Sequence, residues 1–121
     1  MVKTHGLTHI NLVVRDLERS LRFYEQVFGV KEYYRDESSI QVLGPGRHDV
    51  IAFERASRGA GKKGGITHFG FRLVRASDID SAVKEIERAG GKILRRGEFA
   101  PGFPFVYVND PDGYEIEIWY E

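Results

Sequence analysis

The stretch LTHINLVVRDLERSLRFYEQVFG, residues 7–29, changes period partway along, and that change decides the fold. From Leu7 to Val14 the pattern alternates, with Thr8, Ile10, Leu12 and Val14 on one face and Leu7, His9, Asn11 and Val13 on the other, as in a strand. Asp16 then offers an N-cap, and Leu17, Leu21, Tyr24 and Phe28 recur at helical spacing until Gly29, which suits a left-handed stop. Beyond the helix, Glu32 to Asp36 and Ser39 to Leu43 read as short strands. Gly44-Pro45-Gly46 turns the chain, and Val50 to Phe53 is a fourth strand. The order is β-α-β-β-β.

Residues 56–65 are rich in glycine, alanine and basic side chains without apolar periodicity, which predicts a linker between two packed units. The pattern then restarts. Ile66 to Val74 reads as a strand, Ser77-Asp78 as a cap, and Ile79, Ala82, Val83, Ile86 and Ala89 as one helix face ending at Gly90-Gly91. Lys92 to Arg96, Phe105 to Val108 and Tyr114 to Tyr120 are three more strands, the last two joined by the turn Asn109-Asp110-Pro111-Asp112-Gly113. Thr8-His9-Ile10 thus recurs as Thr67-His68-Phe69 in an internal repeat of roughly 55 residues. The predicted fold is α+β: a single domain of two tandem βαβββ modules, about 5–55 and 66–121, related by a pseudo-two-fold. Each helix covers one face of its sheet, which leaves a cupped mixed sheet whose other face can line a cavity.

Composition narrows the chemistry. Eighteen basic and eighteen acidic side chains cancel, so no charge footprint points to nucleic acid or an anionic membrane, and a small-molecule partner is expected. With no cysteine, the strong metal donors available are His, Asp and Glu. The first apolar stretch alternates rather than running continuously, unlike a signal peptide or membrane helix, so a cytoplasmic protein is expected.

His9 and His68 lie at equivalent places in the two copies, each opposite its strand's apolar residues, and the pseudo-two-fold is expected to bring them face to face. In the last strand Ile116 and Ile118 form the apolar face, so Glu115, Glu117 and Trp119 share the side of the histidines. Glu115, beside the turn, is expected to be solvated. Glu117 is expected to lie deeper, where an inward carboxylate is costly unless paired or bound to a cation.

Taken together, Thr8-His9-Ile10, Asp16 to Gly29, Gly65-Ile66-Thr67-His68-Phe69 and Asp110-Pro111-Asp112-Gly113-Tyr114-Glu115-Ile116-Glu117 resemble the vicinal oxygen chelate superfamily of glyoxalases, bleomycin resistance proteins and extradiol dioxygenases. The resemblance implies one divalent metal ion per chain held by His9, His68 and Glu117, Fe(II) or Mn(II) being favoured and Zn(II) or Ni(II) possible. It also implies a homodimer, as do the open sheet edges. Glyoxalase-type members usually supply a fourth ligand from the fourth strand, where alignment with Ile116-Glu117-Ile118 places Ala52, with Glu54 two residues too late. An open 2-His-1-carboxylate site favours extradiol-dioxygenase-like chemistry. The alternatives are a glyoxalase or epimerase-type lyase or isomerase, a thiol transferase of the fosfomycin-resistance type, and a non-catalytic drug-binding protein. Tyr107 is the candidate catalytic residue that orients or protonates the substrate, with Arg72, Phe105 and Trp119 as candidate substrate contacts.

Overall fold

The structure, a computed structural model, describes residues 1–3 and 5–121. Strand β1 (His9–Val14) buries Leu12 and Val14 while His9 and Asn11 face solvent. Helix α1 (Leu17–Phe28) starts where Asp16 accepts a hydrogen bond from the Arg19 backbone N–H at 3.0 Å, and stops at Gly29, whose φ of 64° only glycine adopts without cost. Strands β2 (Lys31–Arg35), β3 (Ser39–Leu43) and β4 (Val50–Arg55) complete a sheet of order β1-β4-β3-β2, in which only β1 and β4 run parallel.

The second half repeats this plan with β5 (Phe69–Arg72), α2 (Ile79–Arg88), β6 (Lys92–Glu98), β7 (Pro104–Asn109) and β8 (Glu115–Trp119), in the order β5-β8-β7-β6. The registers make the repeat quantitative. Ile10 pairs with Ile51 as Phe69 pairs with Ile116, so Ala52 stands in the first module where Glu117 stands in the second. Gln41, opposite Ala52, is likewise the counterpart of Tyr107, opposite Glu117. The α+β fold of two βαβββ modules is therefore as the sequence predicted.

Three local expectations are corrected. Strand β5 is four residues long rather than spanning Ile66 to Val74, because Gly64 and Gly65 take positive φ and the Ile66 N–H turns back to the Lys63 carbonyl. Asp78 does not cap α2. Its carboxylate is occupied by the Arg75 guanidinium at 3.0 and 3.1 Å, and a short 3-10 turn, Ala76–Asp78, leads into the helix instead. Strand β8 lies between β5 and β7 rather than at an edge, so Glu115 has neighbours on both sides and is not solvated.

The modules share one core. Tyr24 packs on Phe53 with ring centroids 5.0 Å apart, and Phe28 of α1 stacks on Phe71 of β5 at 3.7 Å. The turn at 110–114 fastens the second module to the first. One Asp110 oxygen accepts from the backbone N–H groups of Asp112, Gly113 and Tyr114, while the other accepts the Tyr24 hydroxyl at 2.8 Å. Asp112 is gripped by Arg15, Arg19 and Ser20, and the Tyr114 hydroxyl donates to the Val13 carbonyl at 2.7 Å. The motif that helped carry the family resemblance thus ties the start of β8 to the end of β1 and to α1.

Burial is the largest influence on Asp110 and raises its carboxyl pKa above the usual 3.8, against the hydrogen bonds that lower it. A raised folded-state value means that its contribution to stability is complete below the unfolded value and is lost as pH rises through the folded one. Asp110→Asn keeps the triple acceptor and removes the charge. It should cost far less than Asp110→Ala, which strands buried donors at about 1–3 kcal/mol each. The Asn variant should also flatten the decline of stability that begins near pH 4, a difference that thermal melts across the acid range will read.

Candidate functional site

On the open face of the second sheet the two carboxylates of β8 have separate fates. Glu115 is clamped between the Lys63 ammonium at 2.6 Å and the Arg95 guanidinium at 2.9 Å, which together hold its carboxyl pKa below the usual range, Lys63 most strongly. Its side chain is 9% exposed against 15% for Glu117, so Glu117 is not the deeper of the two, contrary to expectation. What distinguishes Glu117 is its partners. Among the described residues no lysine or arginine forms an ion pair with it; its Oε1 accepts from the Tyr107 hydroxyl at 2.7 Å and its Oε2 lies 3.2 Å from His68 Nε2.

That spacing fits a shared cation. Two donors at adjacent corners of an ion with bonds of about 2.1 Å sit about 3 Å apart, close to the separation of Nε2 and Oε2. The other ring nitrogen of His68, Nδ1, is 3.2 Å from Thr67 Oγ1. In the tautomer in which Nδ1 donates there, Nε2 has its lone pair free on the Glu117 side, as an imidazole that binds a metal requires. The Tyr107 ring meets His68 edge-on at 5.2 Å and carries the Arg95 guanidinium 3.9 Å from its centroid. Its phenol pKa is raised, first by the bond to Glu117 and then by burial.

His9 is not part of this cluster. Among the described residues no three His, Asp or Glu side chains converge as metal donors. His9 is exposed on β1, where it borders a pocket of about 330 Å³ with Thr8, Asn11, Tyr33, Gln41, Val50 and Ala52. It also meets His68 across a shallow depression of about 380 Å³ that reaches both β1 and β5. The modules join on the side carrying Phe28, Phe71 and the Asp112 clamp, so the open faces remain two half-surfaces and the histidines are neighbours without converging.

Arg72, Trp119 and Phe105 form one row across the sheet, two residues along from the row Gly70, Glu117 and Tyr107. Arg72 lies 5.6 Å from the Trp119 ring and donates to the Glu121 carbonyl, and Phe105 stacks on Phe99 at 4.5 Å. All three candidate contacts therefore share the face of Glu117. Glu54 accepts from Asn11 Nδ2 at 3.2 Å and registers with Val13, whereas His9 registers with Val50. Four residues of strand, about 13 Å, separate Glu54 from the level of His9. Sequence reasoning missed Lys63 and Arg95. Unbroken alternation from Ile93 places Arg95 on the helix-covered face, and the register shift between the two turns it onto this one instead, while Lys63 comes from the linker.

Residues 6–118 match the sequence model of the glyoxalase/bleomycin resistance protein/dioxygenase superfamily. A probable lactoylglutathione lyase of Synechocystis sp. is 31% identical over 93% of this chain and 92% of its own length. The lactoylglutathione lyase of Escherichia coli O157:H7 is 29% identical over 93% and 90%. Among solved structures, the fosfomycin resistance protein FosX from Mesorhizobium loti superposes with a TM-score of 0.80 at 23% identity, covering 98% of this chain and 94% of that one. A mutant FosX from Listeria monocytogenes, complexed with Mn(II) and 1S,2S-dihydroxypropylphosphonic acid, gives 0.80 at 21% identity over 96% and 90%. At these identities the structural likeness is one of fold. Among the described residues no helix is long and apolar enough to cross a membrane.

Proposed function

Because the chain belongs to the glyoxalase/bleomycin resistance protein/dioxygenase superfamily, we propose that it is a divalent-metal-dependent enzyme that binds a small substrate through two adjacent oxygens. In this reading His68 and Glu117 of one chain and His9 of the partner subunit hold the ion. The observation that carries it is the approach of His68 Nε2 to a Glu117 carboxylate that, among the described residues, no lysine or arginine pairs with, in a chain whose remaining candidate ligand, His9, borders the same depression as His68 without joining the pair. A two-fold homodimer presents each half-face to the complementary one of its partner, which makes two equal sites.

A divalent ion there supplies Lewis-acid polarisation of the bound oxygens. The protein's own groups do the rest. Tyr107, whose hydroxyl donates to Glu117 Oε1, can turn from it to donate to a substrate oxygen. Arg95 against the Tyr107 ring restricts that movement, and the row Arg72, Trp119 and Phe105 offers a cation and aromatic surface for the rest of the substrate.

Lactoylglutathione lyases that align over about nine-tenths of both chains support lyase or isomerase chemistry on such a chelate. The dioxygenase branch that the sequence favoured rests on Ala52 and stays as a second reading, because a methyl group cannot donate and the site keeps open positions. Two assays separate them: Zn(II)- or Ni(II)-loaded protein with the methylglyoxal–glutathione hemithioacetal, and anaerobically Fe(II)-loaded protein given catechols in air. Metal-dependent turnover of the hemithioacetal is expected. Catechol cleavage without it establishes the second reading, and a protein that binds no metal after reconstitution overturns both.

A further inference from the structure

The row across the first sheet that corresponds to Gly70, Glu117 and Tyr107 is Asn11, Ala52 and Gln41. Its shape is inverted. Where the second module raises a carboxylate between a glycine and a tyrosine, the first sets a methyl group between two carboxamides. Strands lie about 4.8 Å apart, so the two amide-bearing backbones stand about 10 Å apart across the floor formed by Ala52. His9 borders the same pocket of about 330 Å³.

Both carboxamides are oriented by their neighbours. Tyr33 donates its hydroxyl to Gln41 Oε1 at 2.6 Å, which fixes the oxygen end and leaves Gln41 Nε2 with hydrogens to give. Asn11 Nδ2 donates to Glu54 at 3.2 Å, which leaves Asn11 Oδ1 to accept. The notch therefore offers one donor and one acceptor of fixed identity on opposite walls. A carboxamide or peptide group, with a C=O beside an N–H, matches that pair; an ester offers only the acceptor, and an alkyl group neither.

We propose that Asn11 and Gln41, flanking Ala52, form a specificity subsite for an amide-type group whose carbonyl is one of the substrate's two chelating oxygens. The inference rests on the proposed metal site, since His9 beside the notch is what brings the subsite to the reacting centre. Gln41 Nε2 donates to the carbonyl and Asn11 Oδ1 accepts from the N–H, while Tyr33 and Glu54 act as positioning residues that hold the two amides in these senses.

Lactamide and methyl lactate test this directly, because both carry the same adjacent hydroxyl and carbonyl oxygens and only the first has N–H groups. Binding to the Zn(II)-loaded homodimer is followed through the side-chain amide NMR signals of Asn11 and Gln41, with Zn(II) affinity measured separately by chelator competition. Lactamide should bind about five-fold to ten-fold more tightly, the worth of roughly one added neutral hydrogen bond. Asn11→Ala should erase that preference and Ala52→Leu should block the notch, both with Zn(II) affinity unchanged. Equal binding of the two ligands to Zn(II)-loaded protein overturns the subsite and leaves the metal reading standing. If Zn(II) does not bind, the metal reading fails by itself. Shifts of the Gln41 and Asn11 amide signals when metal-free protein is titrated with lactamide, but not methyl lactate, then still support the subsite, and their absence overturns it.

Discussion

Refolding an equimolar mixture of His9→Ala and Glu117→Ala chains is expected to restore metal binding to about one quarter of all sites, although neither variant alone binds well. If each site takes His9 from one chain and His68 with Glu117 from the other, a mixed dimer pairs both defects in one site and leaves the second intact. Random mixing makes about half the dimers mixed, and half of their sites are whole. A site completed within one chain cannot be rescued in this way. Titration of the mixture with Zn(II), beside light scattering to confirm the dimer, decides the matter; no recovery in a dimeric mixture rules out the shared site. The rescue is expected because the described residues of one chain bring two candidate donors together and leave the third, His9, outside the pair.

The second large effect concerns the two carboxylates of β8. Glu117→Ala should weaken metal binding by about 100-fold or more, since it removes the anionic donor of a three-donor set. Metal at about 100 times its Kd stabilises the wild type by about 2.7 kcal/mol, a rise in Tm of about 10 °C, and that rise should vanish in the variant. Glu115→Ala should do the reverse. It leaves Lys63 and Arg95 without their shared carboxylate, so it lowers stability without metal but retains most of the metal-induced shift. If Glu115→Ala abolished the shift and Glu117→Ala preserved it, the donor would have been misassigned. Calorimetric melts with and without metal read all four quantities.

The element pattern was legible because it is local. Asp16 and Gly29 bound α1 as their side-chain and backbone chemistry requires, and the alternation of His9 to Val14 placed His9 and Asn11 on the open face. The same logic fails where a nearby partner competes: Asp78 has capping chemistry, but Arg75 three residues earlier takes its carboxylate. The Asn109 to Gly113 segment read as a hairpin turn and is one, yet the ties of Asp110, Asp112 and the following Tyr114 to Tyr24, Arg15 and Val13 join residues 86 to 101 positions apart, beyond any periodicity.

The same division runs through the candidate site. Parity along a strand is set by the pleat, so the sequence alone determined that His68, Glu115, Glu117 and Tyr107 share a face, and the repeat alone determined that Ala52 is the counterpart of Glu117. Which carboxylate keeps its charge free depends on what approaches from elsewhere. Only the tertiary structure decided that Lys63 from the linker and Arg95 across a bulged ladder take Glu115, so that Glu117 keeps only Tyr107 and His68. Only the tertiary structure decided that His9 stays apart from them, because the modules join through their helix-covered sides and leave the open faces as half-surfaces. Residue spacing encodes direction within an element, whereas distance between elements is set by how their buried faces pack.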